Sequence, residues 1–188
     1  MTEHDFWEAR YRHLPHNHAP LHPARQWQWH KILTHAPDLF QGTLLDVGCG
    51  DLTFWNGIDH LRYTGIDISD TVQQRNRQAR LHWTFHTTDA TKYQPEAYRA
   101  DTVLCLNVLY HVLHIQRHND ILLNLNRWAT KHLILYTWHK EPAYPYDHSY
   151  QAYHPVREDF LHHHYLEASY EQYPHCTLYI YHRTEVTQ

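Results

Sequence analysis

The feature that most constrains the fold is the segment LLDVGCGD at residues 44–51, where an apolar run ends in Gly48, Cys49 and Gly50. An apolar run that stops at glycines predicts a buried strand followed by a sharp turn into a helix. Because glycine has no Cβ, a ligand can approach the backbone there and face the amides at the helix start. The segment therefore predicts a ligand-binding turn at one edge of a sheet.

Apolar runs alternate with amphipathic segments after this turn. Five strands are predicted, at residues 42–48, 61–67, 81–89, 100–108 and 132–138. Helices are predicted at residues 70–80, with Ser69 and Asp70 as caps, and at residues 114–130. Strands that alternate with helices through short connections predict an α/β fold, a doubly wound and mostly parallel sheet with helices on both faces.

The two ends of the chain follow different patterns. Two helices are predicted before the sheet, at residues 5–14 and 26–36, and the first of them has Asp5 as N-cap and Pro15 as its end. After the sheet, residues 140–155 predict a long ordered loop and residues 155–168 a helix with Pro155 in its first turn. Two final strands are predicted at residues 168–173 and 176–183. In the last strand, the face that carries Thr177, Tyr179 and Tyr181 is predicted to be the more solvent-exposed one.

Composition and charge exclude several classes of protein. Apolar residues make up 42% of the chain and charged residues 19%, which is typical of a globular domain. The chain shows neither an apolar run long enough to cross a membrane nor the apolar core of a signal peptide. A net charge of −4 gives no electrostatic footprint for nucleic acid. Cys49, Cys105 and Cys176 lack C-x-x-C spacing, so we expect them to be reduced and buried in a cytoplasmic protein.

Three of the predicted strands end in an aspartate. Asp46 precedes the glycine turn, Asp67 follows 21 residues later, and Asp89 ends the third strand. Because the carboxyl ends of parallel strands meet at one edge of a sheet, we expect these carboxylates to face the same ligand. A carboxylate about 20 residues beyond such a turn accepts hydrogen bonds from ribose hydroxyls. The spacing therefore predicts an adenosine-type ligand.

These residues resemble the class I S-adenosylmethionine-dependent methyltransferases, which have a Rossmann-like fold, over about residues 40–140. LLDVGCGD resembles the glycine motif of that family, YTGIDIS its ribose-binding motif, TTDAT its adenine-contacting acid, and ADTVLCLNVLYHV its fourth-strand motif. The two terminal strands resemble the antiparallel pair that ends the family's sheet. The strings FWEARY, GCGD, VLYH and LILYTW also resemble a bacterial subgroup of uncharacterised enzymes.

The resemblance implies an enzyme that uses S-adenosylmethionine as methyl donor. Asp46 and the glycine turn would lie at the methionine part of the cofactor, Asp67 at the ribose and Asp89 at the adenine. Arg25 is our choice for the cofactor carboxylate, although a solvated surface role suits it equally. The full set of expected cofactor contacts is Arg25, Asp46, Gly48, Cys49, Gly50, Asp67, Ile68, Asp89, Ala90, Leu106 and Asn107.

The chain is expected to form a single methyltransferase domain in four parts. Residues 1–37 form a helical lead-in or lid, and residues 40–138 form the cofactor-binding core. Residues 139–155 form a loop on the acceptor side, and residues 156–188 contain the last helix and the terminal strands.

Leu52 departs from the family pattern, which often has a third glycine at this place. A leucine side chain there leaves no room for a pyrophosphate, so it counts against an NAD-dependent oxidoreductase, the runner-up for a turn of this kind. The methionine tail of S-adenosylmethionine has no phosphate and tolerates the side chain.

Methyl transfer requires an acceptor in line with the methyl group and, for a hydroxyl acceptor, a base. The candidates are Tyr110 and His111 after the fourth strand, and His139 and His148 in the following loop. His111 fits a base and a packing residue alike. The expected acceptor is a small or medium-sized molecule methylated at oxygen or nitrogen, of a carbohydrate or natural-product type. An RNA or protein methyltransferase and a non-catalytic cofactor-binding protein stay open as alternatives.

The 22 histidines of the chain do not predict a metal site. His111, His114 and His118 would share a helix face only if that helix began early. Residues 162–164 are three consecutive histidines. Around a helix their side chains would point in different directions, so they could not coordinate one metal ion together. We therefore expect no metal.

Overall fold

The computed structural model describes residues 2–13, 23–59, 62–92, 97–173 and 175–184. The expected end of the first helix at Pro15 lies outside these residues. The helices within them are α1 (Glu3–His13), α2 (Pro23–His35), α3 (Asp70–Ala79) and α4 (Ile115–Trp128). The strands are β1 (Leu44–Val47), β2 (Tyr63–Asp67), β3 (Thr84–Thr87), β4 (Ala100–Leu106), β5 (Ala129–Trp138), β6 (His164–Tyr173) and β7 (Cys176–Arg183).

All seven strands join one sheet in the order β3-β2-β1-β4-β5-β7-β6. The first five strands along the chain pair in parallel, while β7 pairs antiparallel with both β5 and β6. This arrangement confirms the predicted doubly wound, mostly parallel sheet with an antiparallel pair at its C-terminal end. None of the described helices is both long enough and apolar enough to span a membrane.

Alternate residues of each central strand face two separate cores. Leu104 and Leu106 of β4 belong to the core that contains Trp29 and Ile32 of α2. The intervening β4 residues belong to the other core, which contains the apolar face of α4 at Ile121, Leu122, Leu125 and Trp128. Helices therefore cover both faces, as the period-two burial of a parallel sheet requires. The three cysteines are free and buried, as predicted.

The helix expected directly after the glycine turn does not form. The chain makes one turn of 3-10 helix at Thr53–Trp55 instead, and Asn56 then adopts an extended backbone that ends it. The Trp55 side chain is fully buried and donates a hydrogen bond from Nε1 to Asp46 Oδ2 at 2.7 Å. The Trp55 indole packs in the core that also contains Trp29 and Leu44.

The helix predicted at residues 155–168 is also wrong. Residues 155–157 are irregular, Glu158–Leu161 form a 3-10 turn, and β6 begins at His164. Pairing with β7 along the whole of His164–Tyr173 overrides the local helical pattern, since strand formation depends on tertiary context. The more exposed face predicted for β7 is wrong as well, because Thr177 and Tyr181 are both buried and Tyr181 lies in the core that contains the apolar face of α4.

Of the predicted helix caps, the structure corrects the one of α1 and confirms Ser69 as the cap of α3. Thr2, and not Asp5, caps α1: Thr2 Oγ1 accepts from the Asp5 backbone N–H, and the Asp5 carboxylate accepts from the Thr2 N–H, both at 3.1 Å. The pair forms a capping box, with the acid three residues after the cap. Ser69 caps α3 as predicted, since its side chain accepts from the Val72 N–H.

Candidate functional site

An open cleft, which with the solvent at its mouth takes up about 680 Å³, lies at the carboxyl ends of β1, β2 and β4. Small-molecule sites are concave and combine apolar walls with a few polar groups. The polar lining is Glu3, Asp67, Thr88, Asp89, Asn107, His111 and Arg117, and the other lining residues are Trp7, Tyr11, Val47, Gly48, Ile66, Ile68, Ala90, Val108, Val112 and Ile121. The structure thus brings Asp67, Asp89 and several of the other predicted contacts together.

The glycine turn needs its glycines for packing as well as for backbone conformation. Gly48 has a φ of +71°, and a Cβ added to it would lie 2.3 Å from Cγ2 of Val108. A Cβ on Gly50, where φ is +54°, would lie 2.9 Å from the Tyr11 hydroxyl. Gly48 lines the cleft, whereas Gly50 lies beneath Tyr11 and outside the lining.

Leu52 adopts a left-handed backbone with a φ of 60°, at the place where the family often has glycine. A non-glycine residue in this region costs about 1–3 kcal/mol and persists where its surroundings hold it. The Leu52 side chain is buried in the core that also contains Trp55. Burial of the leucine side chain contributes a stabilisation of similar size, about 1.5–3 kcal/mol. The leucine is therefore a core residue held in a glycine-like turn.

Asp67 lies at the end of β2 with its carboxylate anchored by two backbone amides. Oδ2 accepts from the Gly50 N–H and Oδ1 from the Ser69 N–H, both at 3.0 Å. Burial raises the pKa of Asp67 to about 6, against the opposing effect of these amides. The carboxylate is therefore mostly ionised at pH 7, and it can accept hydrogen bonds from a ligand in the cleft.

Asp89 is held by residues near it in sequence and by one distant cation. Oδ1 accepts from the Thr91 N–H at 3.0 Å and from its hydroxyl at 2.8 Å, and Oδ2 accepts from Arg117 Nη2 at 3.0 Å. Burial raises the pKa of Asp89, but these hydrogen bonds and the Arg117 charge outweigh burial and lower it overall. The neighbouring Ala90 also lines the cleft, and its carbonyl accepts from Asn124.

Asp46, expected beside the cofactor amine, is turned into the core behind the glycine turn. Its Oδ2 accepts from Trp55 Nε1 at 2.7 Å and from the Tyr63 hydroxyl at 2.8 Å. Burial raises the pKa of Asp46 to about 6, and those two hydrogen bonds oppose the rise. The reason is the strand period, since Asp46 shares the face of Leu44 and not the edge of the sheet.

Three more of the expected cofactor contacts lie outside the cleft lining. Cys49 is buried with its sulfur against Gln73 and Asn76, and Leu106 is part of the core on the α2 side. Arg25 lies on α2 and does not line the cleft. Ile68 and Asn107 both line it.

Helix α1 lies over the cleft through residues that no sequence motif marks. Trp7 and Tyr11 line the cleft from the same helix face, which their spacing of four residues could have indicated. Glu8 fastens the helix to the start of α3, since its carboxylate accepts from the Ser69 hydroxyl at 2.7 Å and from Thr71. Burial raises the pKa of Glu8, but the Thr71 and Ser69 hydrogen bonds prevail and lower it to about 2.

The other end of α1 is fastened by Glu3. Its Oε1 accepts from the Leu113 N–H at 2.9 Å, and its Oε2 accepts from Arg117 Nε at 2.8 Å. Arg117 therefore joins α1 to Asp89 across the mouth of the cleft. No motif marks Arg117 or Glu3, because their meeting depends on how α1 and α4 are placed in the fold.

The chain was compared with known proteins by sequence and by structure. The family described as methyltransferase domain matches residues 45–131, which run from the first strand through the glycine turn to the fifth strand. No curated protein matches the chain by sequence. The N-methyltransferase NodS from Bradyrhizobium japonicum WM9, solved with S-adenosyl-L-homocysteine, is 17% identical over 98% of this chain and 100% of its own, with a TM-score of 0.70.

Two further solved structures share the fold. The 1,6-didemethyltoxoflavin-N1-methyltransferase of Burkholderia thailandensis is 16% identical over 97% of this chain and 87% of its own, with a TM-score of 0.66. The magnesium protoporphyrin IX methyltransferase ChlM of Synechocystis PCC 6803, solved with S-adenosylmethionine, is 17% identical over 98% of both chains, with a TM-score of 0.63. Residues 45–131 thus match a methyltransferase domain, and the chain has the fold of solved S-adenosylmethionine-dependent methyltransferases.

One of the four catalytic candidates, His111, lines the cleft. His111 Nδ1 lies 2.9 Å from the Tyr150 carbonyl, which can only accept, so the Nδ1–H donates and Nε2 carries the lone pair. Burial lowers the pKa of His111 to about 4, with Arg10 adding to the effect and the Tyr150 hydrogen bond opposing it. The ring lies edge-on to Trp7 at 4.9 Å between centroids.

The other three candidates lie outside the cleft lining. The Tyr110 hydroxyl donates to Asn107 Oδ1 at 3.0 Å, which places Tyr110 directly behind a lining residue. His139 Nδ1 is paired with the Thr177 hydroxyl at 2.8 Å, and His148 is exposed with its ring against Tyr146. The part of the chain that the structure describes contains no group of three or more His, Cys, Asp or Glu side chains placed to hold a metal ion.

Proposed function

We propose that this enzyme transfers a methyl group from S-adenosylmethionine to an oxygen or nitrogen of a small or medium-sized acceptor. The observation that carries the proposal is the cleft at the carboxyl edge of the sheet, where Asp67 and Asp89 are both anchored and both face the same space. The NodS and toxoflavin enzymes, which share the fold, are N-methyltransferases, and this supports a small acceptor.

The lining residues fit the parts of the cofactor. Asp67 would accept hydrogen bonds from the ribose hydroxyls, because its two anchoring amides leave further lone pairs toward the cleft. Asp89 and Ala90 would border the adenine, while Gly48 and Asn107 would border the sulfur. When bound, S-adenosylmethionine supplies an electrophilic methyl group on a positively charged sulfur.

His111 is the residue that would meet the acceptor. A general base works best when its pKa lies near the working pH, so a pKa of about 4 makes His111 a weak base at neutral pH. Its Nε2 lone pair still accepts a hydrogen bond, and the Tyr150 carbonyl fixes the ring. His111 would therefore orient the acceptor. A neutral nitrogen already carries the lone pair that attacks, so nitrogen suits this site better than a hydroxyl.

Charge and cysteine chemistry support the choice of a small acceptor in the cytoplasm. The net charge of −4 offers no attraction to an RNA backbone. The three cysteines are free and buried, which suits a reducing compartment. RNA or protein acceptors and a non-catalytic role are the outcomes that an activity screen would separate from this proposal.

The test is a screen with S-adenosylmethionine that carries a tritium-labelled methyl group. The panel contains amines, N-heterocycles, phenols and sugars, next to bulk RNA and denatured protein, with Asp67→Asn as the inactive control. We expect label in at least one small amine or heterocycle with the wild type. Label confined to RNA or protein, or no label in any pool from protein that binds the cofactor, would contradict the proposal.

A further inference from the structure

Two side chains that line the cleft each leave one nitrogen without a hydrogen-bond partner. They are Asn107, directly after β4, and His111, four residues later. His111 Nε2 and Asn107 Nδ2 form no hydrogen bond with a described residue, and neither atom is buried. The rings of His111 and Tyr110 lie 4.5 Å apart between centroids, and the Tyr110 hydroxyl reaches Asn107. Both nitrogens are therefore open to a ligand in one part of the cleft.

The hydrogen-bonding role of His111 Nε2 is fixed by the other ring nitrogen. The Nδ1–H donates to the Tyr150 carbonyl at 2.9 Å, so in the neutral ring Nε2 carries no hydrogen. Burial lowers the pKa of His111 to about 4, so the ring stays neutral at pH 7. Nε2 can therefore accept a hydrogen bond from a ligand but cannot donate one.

The side-chain amide of Asn107 is oriented by the Tyr110 hydroxyl. This hydroxyl lies 3.0 Å from Asn107 Oδ1, and burial raises the pKa of Tyr110 far above its usual value, so the hydroxyl keeps its hydrogen. A hydroxyl hydrogen away from water needs an accepting atom, and Oδ1 is the one that the described part of the chain offers. Oδ1 therefore faces Tyr110, which leaves the two Nδ2 hydrogens for the cleft. Nδ2 can only donate.

The backbone of Asn107 is strained, which supports a role for its side chain. Its φ is +62°, in the left-handed region, and its N–H donates to the Tyr136 carbonyl at 3.0 Å. Glycine adopts this backbone freely, whereas any other residue does so at a conformational cost. Leu52, which also has a positive φ, offsets that cost by burial in the core. The Asn107 side chain lies in the cleft instead, so a ligand that accepts from Nδ2 would offset its cost.

We propose that the methyl acceptor is a planar nitrogen compound, such as a cyclic amide, that donates an N–H to His111 Nε2 and accepts at an oxygen or ring nitrogen from Asn107 Nδ2. Such a molecule satisfies both free nitrogens at once, whereas an N–H or a carbonyl alone leaves one of them unpaired. A flat molecule also suits Trp7, which lines the cleft edge-on to His111 at 4.9 Å between centroids. Tyr110 is then a positioning residue, because it acts through Asn107. The proposal rests on the methyl-transfer function proposed above.

The test uses the intact protein loaded with S-adenosylhomocysteine and probes that differ in these two groups. 2-Pyridone and 4-pyridone carry both an N–H and a carbonyl, at different separations, and their N-methyl derivatives lack the N–H. Pyrrole has the N–H alone, and phenol has a hydroxyl in place of both groups. Ligand-observed NMR measures the dissociation constants. We expect one pyridone to bind at least about tenfold more tightly than its N-methyl derivative, pyrrole or phenol.

Variants at Asn107 and Tyr110 test how the donor is supplied. Asn107→Asp fits the left-handed backbone and still accepts from Tyr110, but it has no N–H to offer. It should weaken the preferred pyridone about tenfold and leave pyrrole within about threefold of the wild type. Tyr110→Phe frees the amide to rotate and should weaken the pyridone about threefold, again without an effect on pyrrole. Tyr153→Phe, which removes a hydroxyl bonded to the His139 carbonyl outside the cleft lining, should change neither affinity.

A second variant at the same position keeps the test independent of the new charge. Asn107→Gly keeps the backbone conformation and lacks the amide, so it should reproduce the result of Asn107→Asp. Equal affinities of the wild type for the pyridones and their N-methyl derivatives would overturn the proposal, and so would Asn107 variants that bind the pyridone as tightly as the wild type. Loss of S-adenosylhomocysteine binding by both folded Asn107 variants would assign the residue to the cofactor and overturn it too. Wild-type protein that binds no S-adenosylhomocysteine would instead overturn the proposed function.

Discussion

The two sides of the sheet hold their functional groups in different ways. On the side of β1, β2 and β3, Asp67 and Asp89 are held largely by groups close to them in sequence, namely Gly50, Ser69 and Thr91. On the side of β4, β5 and β7, partners come from distant segments: His111 pairs with the Tyr150 carbonyl, and His139 pairs with the Thr177 hydroxyl. The side proposed to hold the cofactor, called the cofactor side below, is thus built by local motifs. The side proposed to hold the acceptor, called the acceptor side, is assembled by tertiary packing.

Burial also shifts pKa values on both sides of the sheet, but it acts on acids on one side and on histidines on the other. It raises the pKa values of Asp46 and Asp67 to about 6 on the cofactor side. It lowers those of His111, His118 and His164 to about 4 on the other side. At neutral pH the buried acids are therefore mostly charged and the buried imidazoles are neutral. The comparison predicts that a fall in pH lowers the stability of the fold chiefly through the buried histidines of the acceptor side.

The largest expected effect concerns His111. We expect His111→Ala to lower turnover by about 10²-fold, because loss of a positioning contact displaces the acceptor. His111→Gln, which keeps an acceptor atom, should retain turnover within about tenfold of the wild type. At saturating S-adenosylmethionine, turnover should also be flat between about pH 5.5 and 8, since the imidazole stays neutral there and the titration of Asp67 near pH 6 acts on cofactor affinity. Steady-state kinetics across this range would refute a positioning role if Gln were as poor as Ala and the rate rose through pH 6.5.

A smaller effect is expected on the stability of the cofactor side. Trp55→Phe removes one of the two donors to the buried Asp46, which should lower the free energy of unfolding by about 1.5–3 kcal/mol. Trp83→Phe is the matched control, because the indole N–H of Trp83 is buried on the same face without a partner among the described residues. Urea unfolding should show a clearly smaller loss for the control. Equal losses would mean that the hydrogen bond to Asp46 contributes little.

The next prediction tests the acid sensitivity of the other side. His118 is fully buried against His154, and burial, with the His154 charge adding, lowers the pKa of His118 to about 4. A lowered folded-state pKa gives a stability contribution that is complete above about pH 6.5 and is lost as the pH falls through 4. His118→Leu lacks this titration. Its stability relative to the wild type should therefore rise by about 2 kcal/mol between pH 7.5 and pH 5.

Urea unfolding at the two pH values measures this difference, and the exposed His114 supplies the control on the same segment. His114→Leu should shift the difference by less than about 0.5 kcal/mol. A His118→Leu protein with the same pH dependence as the wild type would show that another group controls the acid response.

The sequence allowed some elements of the fold to be predicted better than others. The strands β1 to β5 and the cap at Ser69 were predictable, because hydrophobic period and turn chemistry are local properties. The 3-10 turn after Gly50 was not, since it depends on Trp55 reaching Asp46 across the core. The extent of β6 was not predictable either, because its pairing with β7 overrides a helical pattern.

The same distinction applies to the site. Asp67, Asp89 and Asn107 follow strands and were predicted to face the ligand. The orientation of Asp46 depends on which face of β1 it occupies, so the motif alone suggested the wrong surroundings. Glu3 and Arg117 are 114 residues apart and meet only in the folded chain.

The smallest expected effect concerns the closure of α1 by that pair. Glu3→Gln removes the ion pair with Arg117, whose side chains are 14% and 33% exposed, and should weaken S-adenosylhomocysteine binding about threefold. Because salt screens partly exposed charges, the difference from the wild type should shrink at about 1 M salt. Stopped-flow dissociation rates would locate the effect in faster release. An unchanged release rate would show that Glu3 does not hold the helix closed over the ligand.

The central claim is the proposal that this protein binds S-adenosylmethionine in the cleft beside Asp67. Titration calorimetry with S-adenosylhomocysteine should give a micromolar dissociation constant, about −8 kcal/mol, for the wild type. Asp67→Asn should weaken it by about 10–100-fold, whereas Asp46→Asn, altered behind the turn, should stay within about threefold. Absence of binding heat from folded wild-type protein, or an equal loss in both variants, would contradict the account.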